Sequence, residues 1–191
     1  MRKTLFMDFF GVFVDETVSA YYQYHHFSQE QKEEANAIFR QGDLGNILYP
    51  EVRTRVGAID GTPFIRASDQ LFAFSKPKKE TIEISWKLKE EGFEIYLLSN
   101  ASLGHLLPLL EKYHLDPLFD KRFISAQIHH AKPDMDFWLY VLNDLGKKGD
   151  DCIRIDDRKE NIEGARSAHC LGIVFHDARQ RYKEIHSDDY R

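Results

Sequence analysis

Apolar residues fall along this chain in two rhythms. Five short runs, Thr4–Phe9, Phe93–Leu98, Arg122–Ser125, Cys152–Ile155 and Leu171–Phe175, are dense in β-branched and aromatic residues and bounded by charge or glycine, which predicts buried strands. Between most of them the spacing turns helical. Lys78–Glu91 carries Ile82, Ile84, Trp86 and Leu88 amid Lys and Glu; Leu103–Tyr113, Asp134–Leu145 and Arg158–His169 follow, the last with Ile162, Ala165 and Ala168 on one stripe. Strands that alternate with helices imply right-handed crossovers and a parallel sheet.

The first two strands are separated by far more than one crossover. Residues 15–76 hold helical patterns at Glu16–Phe27, Gln29–Gln41, Pro50–Val56 and Phe64–Phe74, punctuated by Gly42-Asp43-Leu44-Gly45-Asn46 and Asp60-Gly61-Thr62-Pro63. Such a block is too long for a loop inside a compact domain. It predicts a small helical insertion over the carboxyl edge of the first strand, set in a core of residues 1–14 and 77–191. The tail from Ser187 to Arg191 is polar and expected to fray.

Composition narrows the partners. A chain of 191 residues favours one domain, or one with an insertion, and buries enough surface to fold without a staple. The formal net charge of −5, with acids and bases interspersed, argues against nucleic acid as a partner. Cys152 and Cys170 stand in apolar contexts outside any Cys-x-x-Cys pair, as expected of free buried thiols. The apolar run at 4–14 is too short to span a bilayer and contains Asp8, so the expectation is a cytoplasmic protein without membrane contact. Oligomeric state leaves no mark in the sequence.

Parallel α/β sheets bind ligands at the carboxyl ends of their strands, where strand order reverses. The predicted strands end in Asp8, in Ser99-Asn100 and in Asp156-Asp157, and the loop after the third strand carries Lys132. Each alone has a bland reading as a helix cap or turn. Together they put three carboxylates, a lysine, a hydroxyl and an amide on one edge. Clustered carboxylates repel one another, and an oxygen-only set that shares a cation suits Mg²⁺ beside a phosphate. A carboxylate there can act as nucleophile and form an aspartyl-phosphate.

The set Asp8-Phe9-Phe10-Gly11-Val12, Leu98-Ser99-Asn100, Lys132-Pro133 and Ile155-Asp156-Asp157 resembles the four ordered motifs of the haloacid dehalogenase (HAD) superfamily, and the insertion resembles its helical cap of type C1. The segment IDDRKENIEGARSAHCLGI resembles the fourth motif of a bacterial branch that includes glucose-1-phosphate phosphatases. The resemblance implies a Rossmann-like parallel five-stranded sheet of order 3-2-1-4-5 with a small helical cap. It implies Asp8 as nucleophile, with the Phe10 carbonyl, Asp157 and Asp156 as further Mg²⁺ ligands, directly or through water. Ser99 and Asn100 would hold the phosphoryl group of a small phosphorylated substrate, and Lys132 would neutralise charge between it and Asp8.

Phe10 departs from that pattern. Typical phosphatases of the superfamily carry a second Asp at this place, which protonates the leaving oxygen, a contribution of about 10²–10⁴ in rate; members of the glucose-1-phosphate branch lack it too. The reading that follows is an Mg²⁺-dependent phosphohydrolase whose substrates leave easily, or whose acid comes from the cap or the substrate. The alternatives are a metal-independent 2-haloacid dehalogenase, whose halide needs no proton, and a degenerate domain that binds a phosphorylated ligand without turnover.

Other residues carry weaker expectations. In Tyr21–Phe27 the aromatics fit the core of an amphipathic helix, and the adjacent His25 and His26 are the cap's candidates for the missing acid. His129 and His130 diverge in an extended loop and do not suit a metal. Asp15 is expected to cap the first helix of the insertion. Arg158 and Asn161, which follow the acidic pair, are expected to orient it, to meet the insertion or simply to start their helix, and Gly164 to let that helix close on the sheet.

Overall fold

The computed structural model describes residues 4–62 and 70–187. Five parallel strands, β1 (Thr4–Met7), β2 (Glu94–Ser99), β3 (Lys121–Ile124), β4 (Cys152–Asp156) and β5 (Leu171–Val174), form one sheet of order β3-β2-β1-β4-β5. The fold is therefore the Rossmann-like α/β class that the sequence implied.

Sheet register sorts the side chains. Met7 pairs with Leu97 on one side and Ile155 on the other. Side chains alternate across a strand, so Leu5, Met7, Ile95, Leu97, Ile153, Ile155 and Ile173 share one face. They pack under α4 (Lys79–Glu90), α5 (Leu103–Lys112) and α9 (Ala178–Ile185) through Leu88, Leu106, Leu109, Leu110 and Ile185. Phe6, Tyr96, Leu98, Phe123 and Cys152 take the other face, covered by α7 (Met135–Leu145) and α8 (Lys159–Ser167) through Phe137, Trp138, Val141 and Ala165. One residue past the Met7 level, Asp8, Leu98 and Asp156 lie side by side where the strands end.

The insertion gathers a core of its own. Its helices are α1 (Thr17–Tyr24), α2 (Gln29–Asp43) and α3 (Tyr49–Asp60), followed by a helical stretch at 70–74. Tyr21, Tyr22, Phe27, Tyr49, Val52, Val56 and Leu71 form its centre. Two segments link it to the sheet and run side by side: Asp15 N–H donates to Lys76 O at 2.9 Å, Lys78 N–H to Phe13 O at 2.8 Å, and the hydroxyls of Thr17 and Ser75 meet at 2.7 Å.

Several details differ from the sequence expectation. The cap of α1 is Glu16, whose carboxylate accepts the Ser19 N–H at 2.7 Å, with Asp15 one residue outside it. Strand β3 stops at Ile124, and Ser125 opens a short helix, α6 (Ser125–Ile128). Helix α9 went unread because its only aliphatic anchors are Ala178 and Ile185; Asp177 caps it and Arg181 lies over the Phe175 ring at 4.1 Å. Gly164 faces not the sheet but Pro133 O and Trp138, 2.5 and 2.9 Å from where a Cβ would stand. The first part of the expected helix Phe64–Phe74, Pro63 and the tail beyond Ser187 lie outside the described residues. Both cysteines are free and buried. Among the described residues no helix is long and apolar enough to cross a membrane.

Candidate active site

The site begins at the end of β1. After Met7 the chain continues one ladder bond further, Asp8 N–H to Ile155 O at 3.0 Å, and then wraps into a turn. The N–H groups of Val12, Phe13 and Val14 all converge on the Phe9 carbonyl, and none of these turn bonds uses the carbonyl of Phe10. Gly11 holds φ +80° in that turn, and a Cβ there would fall 2.2 Å from Asp157 Oδ2. Only glycine leaves room for this carboxylate to lie against the turn.

The buried charges form a quartet. Lys132 Nζ lies 2.9 Å from Asp8 Oδ1 and 2.9 Å from Asp156 Oδ2, and donates to Leu98 O at 2.9 Å. Arg154, two residues before Asp156 and so on the same face of β4, bonds Asp156 Oδ2 and approaches Asp8 Oδ2 to 3.9 Å. Lys132, Arg154 and Asp156 are at most 1% exposed. The other oxygen of Asp156 accepts Arg158 N–H and Asn161 Nδ2, each at 3.0 Å. Both oxygens of Asp156 are thus engaged within the protein; Asn161 and the Arg158 backbone hold Asp156 alone, while the Arg158 side chain faces Glu16 at 3.9 Å. Asp8 Oδ1 also accepts the Phe9 N–H at 2.8 Å, which leaves Oδ2 the less engaged oxygen.

Electrostatics separates the three acids. Burial, reinforced by Asp156, pushes Asp8 up to about 7 against the pull of Lys132 and Arg154. Burial acts the same way on Asp156, yet Lys132 and Arg154 outweigh it and hold the group well below the usual carboxylate range. Asp157 is raised by burial and by Asp156. One carboxylate oxygen from each of the three lies within 4.8 Å of the others, the one such cluster among the described residues. The sequence argument had the acids rely on a cation to stay ionised. In the structure Lys132 and Arg154 already neutralise two of them, so repulsion alone does not call for the ion; the all-oxygen donor set of Asp8, Asp157 and the adjacent turn carbonyl does fit one.

Ser99 and Asn100 divide their work differently from the expectation. Ser99 is fully buried at the end of β2, and its hydroxyl has no partner among the described residues. The Asn100 side chain is spent on the Lys132 backbone, donating to Lys132 O at 2.8 Å and accepting Lys132 N–H at 2.9 Å. It therefore positions the lysine loop.

A cavity of about 300 Å³ opens above this floor, roofed by the insertion. Asp8, Phe10, Asn100, Lys132 and Asp157 line it from the sheet edge; Asn36, Phe39, Arg40, Asp43 and Tyr49 line it from α2 and α3. Phe10 contacts His105, ring centroids 4.9 Å apart, and His105 stacks in turn on Tyr49 at 5.2 Å. Neither His25 nor His26 reaches the cavity. His25 turns into the insertion, to Asp60 at 2.9 Å and Gln70 at 2.6 Å, because α1 buries the face that carries Tyr21 and Tyr22. His129 bonds Leu44 O and His130 faces Tyr140. Sequence reasoning missed Arg154, His105 and Asp43. The signal for Arg154 was available: a lone cation inside CIRI, a strand covered on both faces, needs an acid within reach.

Comparison with known proteins agrees with this architecture. The family model for haloacid dehalogenase-like hydrolases matches residues 3–169. Drimenol cyclase drtB of Aspergillus calidoustus is 37% identical over 85 residues, 44% of this chain but 16% of that protein. Sesquiterpene phosphatase astK of Aspergillus oryzae is 25% identical over 137 residues, 72% of this chain and 69% of that one. Among solved structures, the HAD family enzyme bt-2542 of Bacteroides thetaiotaomicron, in complex with magnesium and inorganic phosphate, superposes with a TM-score of 0.76 at 21% identity, over 92% of this chain and 95% of that one. The structural likeness speaks for the fold, and the family match, which runs from the first strand through α8, makes the chain a member of the haloacid dehalogenase-like hydrolases.

Proposed function

We propose that the protein is an Mg²⁺-dependent phosphohydrolase of small phosphorylated metabolites, with Asp8 as nucleophile. The observation that carries the reading is the meeting of Asp8, Asp156 and Asp157 within 4.8 Å, with Asp8 and Asp157 on the floor of the cavity, Asp156 buried beneath, and Lys132 at 2.9 Å from Asp8 and Asp156. Phosphatases among the relatives and a magnesium complex of a structural neighbour support the same assignment. So does the charge: Lys132 and Arg154 set two buried cations beside Asp8 and Asp156, which lessens the repulsion that these carboxylates would offer a phosphate.

Asp8, the Phe10 carbonyl and Asp157 would hold Mg²⁺, with Asp156 engaged behind them. The ion, when bound, withdraws charge from the phosphoryl oxygens and offsets repulsion between phosphate and Asp8. The chain's own residues supply the rest. Lys132 favours the ionised form of Asp8 against burial and draws the phosphate towards it. The unpartnered Ser99 hydroxyl and the backbone at the end of β2 receive phosphoryl oxygens. Asp8 then forms the phosphoaspartate, which water hydrolyses. A cavity of about 300 Å³ suits a small metabolite, and the insertion acts as a cap that limits water access.

The test is phosphate release over a panel of phosphorylated metabolites, with and without Mg²⁺. Release is expected to vanish on chelation and to fall by about 10⁴-fold or more in Asp8→Asn. Release that survives both, or a panel without turnover, refutes the reading.

A further inference from the structure

Phe10 stands where a carboxylic acid would protonate the leaving group, so a substrate with a poor leaving group needs its proton from elsewhere in the cavity. Few groups there can supply it. Lys132 is tied to Asp8, Asp156 and Leu98 O. Asp157 belongs to the ion-binding set. Glu16 is occupied as the cap of α1 and faces Arg158 at 3.9 Å. Burial, with a smaller push from Arg53, lowers His105 to about 3, so at neutral pH it has no proton to give. Tyr49 is driven in the opposite direction by burial and holds its proton too tightly. Asp43 remains.

Asp43 is the last residue of α2, and the structure fixes its place. Ser125 Oγ donates to its backbone carbonyl, and the next carbonyl, Leu44 O, meets His129 Nδ1 at 2.8 Å. Gly42 and Gly45 on either side allow this seat: a Cβ on Gly42 would stand 2.6 Å from Ser102 Oγ, and one on Gly45 2.4 Å from Ala126 O. Asp43 lines the same cavity as Asp8 and Phe10, and the Ser102 backbone, at the start of α5, favours the charged form of its carboxyl.

We propose that Asp43 is the general acid of the reaction, delivered by the insertion in place of the missing acid on the sheet edge. The inference rests on the phosphohydrolase reading. As Asp8 bonds to phosphorus, the bond to the leaving oxygen breaks, its electron pair stays on that oxygen, and the Asp43 proton moves there to give an alcohol. Asp43, now a carboxylate, takes a proton from the water that attacks the phosphoaspartate; phosphate leaves and both carboxyls return to their starting state. Burial pushes Asp43 up to about 7, against Arg158, Arg40, the Ser102 N–H and Lys132, so both forms are populated near neutral pH.

The experiment compares wild type, Asp43→Asn and Asp8→Asn with Mg²⁺ on p-nitrophenyl phosphate and on a series of alkyl phosphates of rising leaving-group pKa. The amide keeps the shape of Asp43 and an acceptor for Ser102 but has no proton to donate. In Asp43→Asn the loss in kcat/KM on alkyl phosphates is expected to exceed the loss on p-nitrophenyl phosphate by about 100-fold, within the range of a general acid. Equal losses on both would make Asp43 a mere tether of the insertion and overturn the proposal. A wild type that cleaves the aryl ester but ignores alkyl phosphates overturns it too, and decides the matter if the variant does not fold. A wild type that releases phosphate from neither class removes the phosphohydrolase reading itself, and the acid role with it.

Discussion

The floor and the roof of the cavity are built on different principles. On the floor, Asp8, Asp156 and Arg154 are placed by strand register, and each of their positions follows from the parallel pairing of β1 with β4. Their charges are buried; the two carboxylates are bonded several times over, whereas Arg154 is held through Nη2, its Nε and Nη1 without a hydrogen-bond partner among the described residues. The roof has one cluster of its own apolar residues, two linking segments and a seat made of backbone carbonyls and glycines. A rigid edge suits chemistry that tolerates little misplacement, and a separately packed roof on two linkers suits admission and choice of substrate. The difference predicts that floor changes act on stability and turnover together, whereas roof changes, Asp43 excepted, act on binding.

The largest effect on that contrast should come from Arg154→Met. Arg154 is 0% exposed and shares Asp156 with Lys132. Its removal leaves two buried acids to one buried cation, and breaking such a set costs about 3–5 kcal/mol. At roughly 2–4 °C per kcal/mol for a chain of this size, the melting temperature should fall by about 6–20 °C, and phosphate release with it. A fall under about 2 °C in a thermal melt would mean that Lys132 suffices alone and that the floor is less tightly coupled than its hydrogen bonds imply.

Gly45→Ala probes the roof. Gly45 has φ +74° and lies so close to the Ala126 carbonyl that a methyl group must displace the seat. The expected cost is about 1–2 kcal/mol, felt where the insertion meets the core. KM for a substrate found in the screen should rise roughly 10-fold, the equivalent of about 1.4 kcal/mol, while kcat for p-nitrophenyl phosphate should change less than KM does. If kcat and KM suffer alike, floor and roof act as one body and the contrast fails.

How much of this was readable beforehand divides along the same line. The sheet, its order and the acids at its edge follow from short apolar runs that end in polar residues, because in a parallel sheet a strand's end is also a ligand's site. Asp8 and Asp157 drew notice for that reason, and Lys132 for its place in the loop after the third strand; the structure puts all three on the cavity. Ser99 ends β2 fully buried, its hydroxyl without a partner among the described residues. The role of the Asn100 side chain was not legible, since its partner is a backbone 32 residues away. Nor was Asp43. In Gly42-Asp43-Leu44-Gly45 the sequence shows a turn signal, and only the packing of both glycines against the core turns it into a docking seat. His25 misled for the converse reason: histidine type suggests an acid, but helix phase aims it at Asp60.

His105 offers the finest test, because it sits between the two regions, in contact with Phe10 of the floor and stacked on Tyr49 of the roof. Burial lowers its pKa to about 3, with Arg53 adding to the shift. A histidine whose folded pKa lies below its unfolded value of about 6.5 binds a proton in the unfolded chain first. Its effect is absent above that pH, and stability drains away as pH falls from about 6.5 towards 3, by up to about 1.4 kcal/mol per unit for one full proton. Replacing it in His105→Phe removes the proton and keeps a ring between Phe10 and Tyr49. The variant's denaturation midpoint should therefore decline less than wild type between pH 6.5 and 5, the two curves lying parallel above pH 7. Parallel curves throughout would mean that solvent reaches His105 in the free protein, and hence that the roof stands open over the floor for much of the time.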